Sequence, residues 1–209
     1  MKTKEALDII GGLSEPSKMP CHGYSIPARH CIKGSWMAKV PGSICSICYA
    51  LKGRYVFKNV QDCLERRFKS LTDPRWVDAM VTAITNREKS GYFRWHDSGD
   101  LQGVGHLQMI VDVCKRTPQI KHWLPTREWS FVRQYLQSGS RLPDNLTVRF
   151  SALMVDGPAP ETIAKAWGVQ VSGASDSAFT CPVSKQGNKC RDCRTCWDRS
   201  TFNVTYKKH

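Results

Sequence analysis

No run of apolar residues in this chain approaches the roughly 20 needed to cross a bilayer as a helix. The first residues, MKTKEALDIIGGLSEPSK, carry charge, but their apolar stretch is too short and too interrupted for a signal peptide. There is no low-complexity segment and no internal repeat beyond an alternation of strand and helix patterns. Together these absences point to a soluble protein made and kept in a cytoplasm. Acid is the scarce charge: 18 Asp and Glu face 31 Lys and Arg, a formal net charge of +13. Such a surplus attracts polyanions, nucleic acid first among them. The competing explanation is that metal-bound thiolates, counted as neutral in the formal sum, offset much of it. The basic residues are spread along the chain with no long Lys/Arg run.

What is present is enough for a core. Hydrophobic residues make up 41% of the 209, with 7 Trp, 7 Phe and 6 Tyr, so wholesale disorder is excluded. The length suits a single domain. It divides into a loop-rich segment over residues 1–50, a βα core over 51–174 and a cysteine-rich segment over 175–209.

The core pattern is legible. Val60 to Leu71 reads as a helix, and Asp73-Pro74 as an N-cap with Pro at the first position of the next one. That helix carries Trp76, Val77, Met80, Val81 and Ile84 on one face. Tyr92 to His96 is a strand, broken by Asp97-Ser98-Gly99-Asp100. Val104 to Arg116 is a helix stopped by Thr117-Pro118. Strand Ile120–Leu124, helix Ser130–Gln137, strand Leu146–Leu153, helix Glu161–Trp167 and strand Val169–Val171 follow. This rhythm predicts an α/β fold, a parallel sheet or partial barrel. In such folds ligands gather beyond the carboxyl ends of the strands. The tail Tyr206-Lys207-Lys208-His209 reads as a solvated end.

Ten cysteines are the strongest chemical signal. Cys181-x8-Cys190-x2-Cys193-x2-Cys196 presents three thiols at successive short spacing, as in the run that wraps an iron–sulfur cluster, with Cys181 beside Pro182 as fourth ligand. A four-cysteine zinc site could use the same residues. Disulfides are the poorest fit, because adjacent CxxC pairs make weak long-range staples. The other group, nearer the N-terminus, is Cys31-x13-Cys45-x2-Cys48, flanked by Gly42 and Gly53. Three cysteines can hold a 4Fe-4S cluster and leave one iron open to substrate or cofactor, or as a Lewis acid. Alternatively Cys45 and Cys48 join the C-terminal group in one site. Cys63 and Cys114 lie in helical patterns beside apolar residues and read as core. Cys21 reads equally as a ligand or as an idle loop thiol.

Among other residues, His96, Asp97 and Asp100 at a strand end are candidates for acid–base work near the open iron, against a capping and core role. Ser98, Thr126, Arg127 and Glu128 are candidates for substrate binding, against mutual pairing. Trp95, Trp123 and Trp129 read as core, and Trp197 as a shield over Cys196.

Several of these stretches resemble a known family. Lys39 to Tyr55 (KVPGSICSICYALKGRY), Tyr92 to Leu101 (YFRWHDSGDL), Trp123 to Glu128 (WLPTRE) and Cys181 through Asp198 look like the signature of the phage gene product 88 family. The resemblance spans most of the chain, from about Lys18 to His209. It implies a viral protein acting in the cytoplasm of an infected bacterial cell and carries no activity of its own. A more distant likeness is to radical SAM enzymes, which combine a cysteine triad holding an open-iron cluster with a partial βα barrel. It implies Cys31, Cys45 and Cys48 as the triad and S-adenosylmethionine as a cofactor. Thirteen residues separate the first two cysteines here, where that family has only a few, and Ser98-Gly99-Asp100 stands in place of a Gly-Gly-Glu motif. The expectation is an iron–sulfur enzyme of radical-SAM-like or Lewis-acid hydrolase chemistry. The alternative is a zinc or iron–sulfur module that binds nucleic acid or a host regulator.

Overall fold

A computed structural model describes residues 1–208. Its six strands are all parallel and pair in chain order: β1 (Gly23–Tyr24), β2 (Tyr92–Trp95), β3 (Lys121–Thr126), β4 (Leu146–Ser151), β5 (Gln170–Ser175) and β6 (Asn203–Lys207). β1 and β6 form the two edges, so the sheet is open and does not close into a barrel. The helices are α1 (Thr3–Ile10), α2 (Ile32–Met37), α3 (Lys58–Ser70), α4 (Trp76–Arg87), α5 (Val104–Arg116), α6 (Trp129–Gln137) and α7 (Glu161–Ala166). Each crossover steps to the next strand in one direction, and right-handed crossovers then place the helices on one face.

The period of two in the strands explains the two faces. Phe93, Trp95, Leu124, Val148, Phe150 and Val171 turn toward the helices and form the main core with Leu107, Ile110 and Val111 of α5 and Trp76, Met80 and Ile84 of α4. Each such fully buried side chain contributes roughly 1.5–3 kcal/mol. The alternate residues Tyr92, Trp123 and Tyr206 turn to the opposite face, where they meet Cys21, Cys196 and Trp197 in a second apolar cluster. Trp123 therefore leaves the core expected of it, while Trp95 is buried there and Trp129 is packed against it. β4 is buried at every position because both of its faces are covered.

The Tyr24 hydroxyl joins the first elements. It sits 2.8 Å from the Ile10 carbonyl, 3.0 Å from that of Arg67 and 2.8 Å from the Ser70 hydroxyl, and it accepts from the Trp76 indole at 3.2 Å. It thereby ties β1 to α1, α3 and α4.

Four elements escaped the sequence pattern. α1, β1 and α2 lie in the segment expected to be loop; the two helices are short and β1 has only two residues, too short to show a period. β6 extends the sheet where the tail was expected to be solvated, with His209 outside the described residues. The helix after Pro74 begins at Trp76, because Asp73 instead accepts from the Arg75 backbone at 2.8 Å and pairs with its guanidinium. Elsewhere the expected elements stand within a few residues, and α5 matches end for end.

Candidate metal centre

The first cysteine group lies in the long connection from β1 to α3. Cys31 precedes α2, Cys45 opens a 3-10 turn, and Cys48 closes it by donating its N–H to the Cys45 carbonyl at 3.2 Å. Gly34 lies on top of them. A Cβ added there would stand 2.7 Å from the Cys31 Cβ, 3.5 Å from the Cys31 Sγ and 3.8 Å from the Cys45 Sγ. Cys48 is close enough for its charge to bear on both other thiols. The structure therefore brings Cys31 and Cys45 together against Gly34, whose backbone packs so closely on Cys31 that only glycine fits, with Cys48 nearby.

Backbone and carboxylate bonds fix this loop over the carboxyl edge of the sheet. Glu128, after β3, accepts from the Lys33 N–H at 2.5 Å and so caps the start of α2. Ile44 donates to the Leu153 carbonyl at 2.9 Å and Val155 to that of Gly42 at 3.0 Å, clamping the loop to the end of β4. Asp100 is buried and accepts from the Thr126 hydroxyl at 2.6 Å, the Arg127 N–H at 2.8 Å and the Leu101 N–H at 2.8 Å. Gly99 has φ +82°, and a Cβ there would meet the Ile26 carbonyl oxygen at 2.7 Å, so only glycine lets the β2 end approach β1 this closely.

Cys45 is buried and Cys31 and Cys48 are half-buried. Burial pushes the Cys31 and Cys45 thiols up from their ordinary range, the neighbouring Asp100 carboxylate adds to this, and the Arg127 guanidinium opposes it. Burial likewise raises the Asp100 and Glu128 carboxyls. Such thiols release their protons to a bound metal far more readily than to water.

The other expected site residues divide. Asp97 accepts from the Tyr55 hydroxyl at 2.7 Å, its second oxygen is buried without a hydrogen-bond partner among the described residues, and its carbonyl accepts from the Tyr49 hydroxyl. His96 has φ +54°, turns toward α5, and lies edge-on to His106 with ring centroids 5.2 Å apart. Both its nitrogens are buried without a partner, and burial holds it neutral. The Ser98 hydroxyl is also buried and unpartnered. Arg127 and Glu128 do not pair with each other; Arg127 Nε donates to the Ala152 carbonyl at 3.2 Å.

The second cysteine group covers the opposite face of the sheet from the helices. Cys181 donates to the Thr205 carbonyl at 2.9 Å, Cys190 to that of Lys18 at 2.8 Å, and Cys193 to that of Cys190 at 2.9 Å. Asn188 and Arg191 adopt φ +58° and +45°, a tight reversal around Cys190. Cys196 Sγ stands 3.4 Å from the Tyr206 hydroxyl. Cys181, Cys190 and Cys193 act on one another electrostatically, and Cys21 joins through Cys190. Burial raises Cys21 to about 12 and Cys196 to about 11. Arg149 holds this segment down. It is fully buried and donates to the carbonyls of Val171, Thr195, Cys196, Asp198 and Phe202 at 2.8–3.3 Å. Trp197 lies beneath Cys196, its indole donating to the Phe93 carbonyl at 2.8 Å.

All ten cysteines are free thiols. Cys114 is buried in the core and Cys63 is half-buried on α3. Among the described residues, no three His, Cys, Asp or Glu side chains are arranged closely enough to hold a single metal ion. No helix among them is long and apolar enough to cross a membrane.

A family model described as Gene product 88 matches residues 2–199. The chain belongs to the Gene product 88 family. No curated protein and no solved structure gives a significant match. The family span takes in both cysteine groups, from Cys21 to Cys196, and all the strands but β6.

The sequence left Cys21 open between ligand and idle thiol and did not disclose Arg94 or Arg149 as parts of these sites. Arg94 lies between the two groups. Its guanidinium is 4.5 Å over the Trp123 ring, and its charge acts on Tyr49 next to Cys48 and on Cys190 and Cys196. One signal was available: an arginine inside the apolar run Leu146–Ser151 has to be satisfied by something buried.

Proposed function

We propose that this Gene product 88 protein is an iron–sulfur enzyme acting in the cytoplasm of a phage-infected cell, with Cys31, Cys45 and Cys48 as ligands of a 4Fe-4S cluster. The observation that carries the reading is the approach of two free thiols, Cys31 and Cys45, beneath Gly34, with the free thiol of Cys48 near enough to act on both. The donor set fits: three free thiols suit a cluster with one iron left open. Such a cluster supplies either a Lewis-acid site for hydrolysis or, with S-adenosylmethionine, an electron for radical chemistry.

The protein's own groups do the rest. Asp100 positions the loop rather than reacts, since both its oxygens are engaged by backbone and hydroxyl donors, and Glu128 holds the start of α2 through one oxygen. Asp97, with one oxygen held by Tyr55 and the other unpartnered, is the group placed to take or give a proton. Arg127 stands near Cys31 and Cys45 and is the cation suited to an anionic substrate group. The formal charge of +13 favours a polyanionic substrate. Cys181, Cys190, Cys193 and Cys196 form a second, closed cluster on this reading.

Electron paramagnetic resonance of the anaerobically purified, reduced protein tests this. A 4Fe-4S signal absent from Cys45→Ala supports it, and its perturbation by S-adenosylmethionine separates radical from hydrolytic chemistry. A protein with no iron signal at all, before and after reconstitution, refutes it. The short x2 spacings and tight turn at Cys190 also suit zinc, which would make the chain an interaction module.

A further inference from the structure

We infer that the face around the Cys31–Cys45–Cys48 loop binds single-stranded nucleic acid, which would make nucleic acid the substrate class of the centre proposed above and rests on that reading. Residues 16–61 contain seven Lys and Arg and no Asp or Glu. Two of the cations are engaged from outside the stretch, Arg29 with Glu65 and Lys58 with Asp62. Lys33, Lys39, Lys52 and Arg54 make no ion pair among the described residues, and the last three are exposed. They do not serve chiefly to balance the thiols: the cation that bears most on Cys31 and Cys45 is Arg127, from the far side of the loop.

The same stretch carries most of the chain's outward-facing apolar surface. Trp36 is 63% exposed, Phe57 57%, Val56 55%, Ile32 53% and Leu51 48%. They are not scattered. Ile32 follows Cys31, Trp36 lies two residues beyond Gly34, and Leu51 lies three beyond Cys48. α2 and the 3-10 turn at Tyr49–Leu51 both pack on the Ala28–His30 turn, so one short turn carries both flanks of the face.

Exposed aromatic rings among unpaired cations, with the bordering Glu65 and Asp62 each held in an ion pair, is the surface that single strands use. Phosphates meet Lys and Arg while unstacked bases lie on aromatic faces. A duplex would offer its phosphates but bury its base faces, so it satisfies half of this surface. A basic surface alone would not need Trp36 and Phe57 in solvent, and an apolar protein interface would not need the acid-free stretch.

The test uses the full chain, purified anaerobically, and fluorescein-labelled oligo-dT and oligo-U of about a dozen nucleotides, with a hairpin duplex as comparison. Anisotropy should show saturable binding of single strands, and the DNA and RNA arms name the source. With about four cations engaged, the logarithm of the binding constant should fall with a slope of roughly −3 against log salt. The Lys52→Glu/Arg54→Glu double variant should flatten that slope by roughly 1.4. Trp36→Ala and Phe57→Ala should each weaken binding by about tenfold or more and leave the slope unchanged. All are surface changes, and unaltered iron content and thermal melting confirm that each variant is folded and loaded. Absence of binding by an iron-loaded protein overturns the inference and leaves the cluster reading intact. Binding by an iron-free Cys45→Ala variant, lost on Trp36→Ala, upholds the surface without the cluster. Equal binding of duplex and single strand, indifference to both aromatic substitutions, or a dimer through this face that oligonucleotide does not dissociate overturns it.

Discussion

Replacing Arg149 with methionine is expected to release the C-terminal cysteine segment from the sheet. Methionine keeps the length of the stem and removes every donor. The guanidinium serves five backbone carbonyls, three of them in the run Thr195–Asp198 that includes Cys196, and the side chain is fully buried. A bond from a charged donor is worth about 1.5–3 kcal/mol. A simple sum would overshoot, because burying the guanidinium has its own cost, visible in the downward shift that burial imposes on Arg149. Leaving a buried carbonyl unpaired costs about 1–3 kcal/mol, and with relaxation relieving part of the five the net loss should be about 3–5 kcal/mol. For a chain of this size that corresponds to roughly 6–20 °C in melting temperature. Calorimetry reads the shift, and hydrogen exchange should localise the faster opening to residues 195–207. A melting temperature within about 2 °C of the parent would refute the assignment of Arg149 as the anchor.

Gly34→Ala is expected to lower iron bound at the first cysteine group while far-ultraviolet dichroism stays unchanged, because the new methyl meets the Cys31 Cβ at 2.7 Å; its stability cost should be about 1–3 kcal/mol. His122 is fully buried and pushed down to about 3, and His106 to about 4, by burial. The unfolded chain therefore takes up protons below pH 6.5 that the folded chain refuses, and stability falls as pH falls from 6.5 toward those values. His122→Gln should reduce that slope by about 1.4 kcal/mol per pH unit, read by denaturant titration at several pH values; an unchanged slope would contradict a neutral buried ring. Cys193→Ala and Cys45→Ala should each remove part of the bound iron, and the double variant the remainder, since the two thiol groups lie on different parts of the sheet; Cys114→Ala, changed in the core, should remove none.

Much of the fold was legible because the βα core advertises itself. The apolar spacing in Val104–Arg116 and the stop at Thr117-Pro118 define α5 to the residue. What was missed is short or borrows its pattern from elsewhere. β1 has two residues, and β6 follows a cysteine-rich segment whose loop chemistry masks its alternation. At the site, spacing grouped Cys31 with Cys45 and Cys48, and Cys181 with Cys190, Cys193 and Cys196. It could not show that Cys31 closes on Cys45 beneath Gly34, because that convergence depends on α2 turning back after Glu128 caps it. Nor could it place Cys21, which reaches Cys190 only because Lys18 accepts the Cys190 N–H. Arg127 and Glu128, adjacent in sequence, looked like partners; the end of β3 sends one toward β4 and the other toward α2.

The central claim rests on which element the thiols hold. Anaerobic purification of the full chain followed by iron, acid-labile sulfide and zinc analysis measures this directly. The account predicts iron and sulfide in equal amounts, with little zinc, and loss of at least part of both in Cys45→Ala. Stoichiometric zinc without sulfide would contradict it.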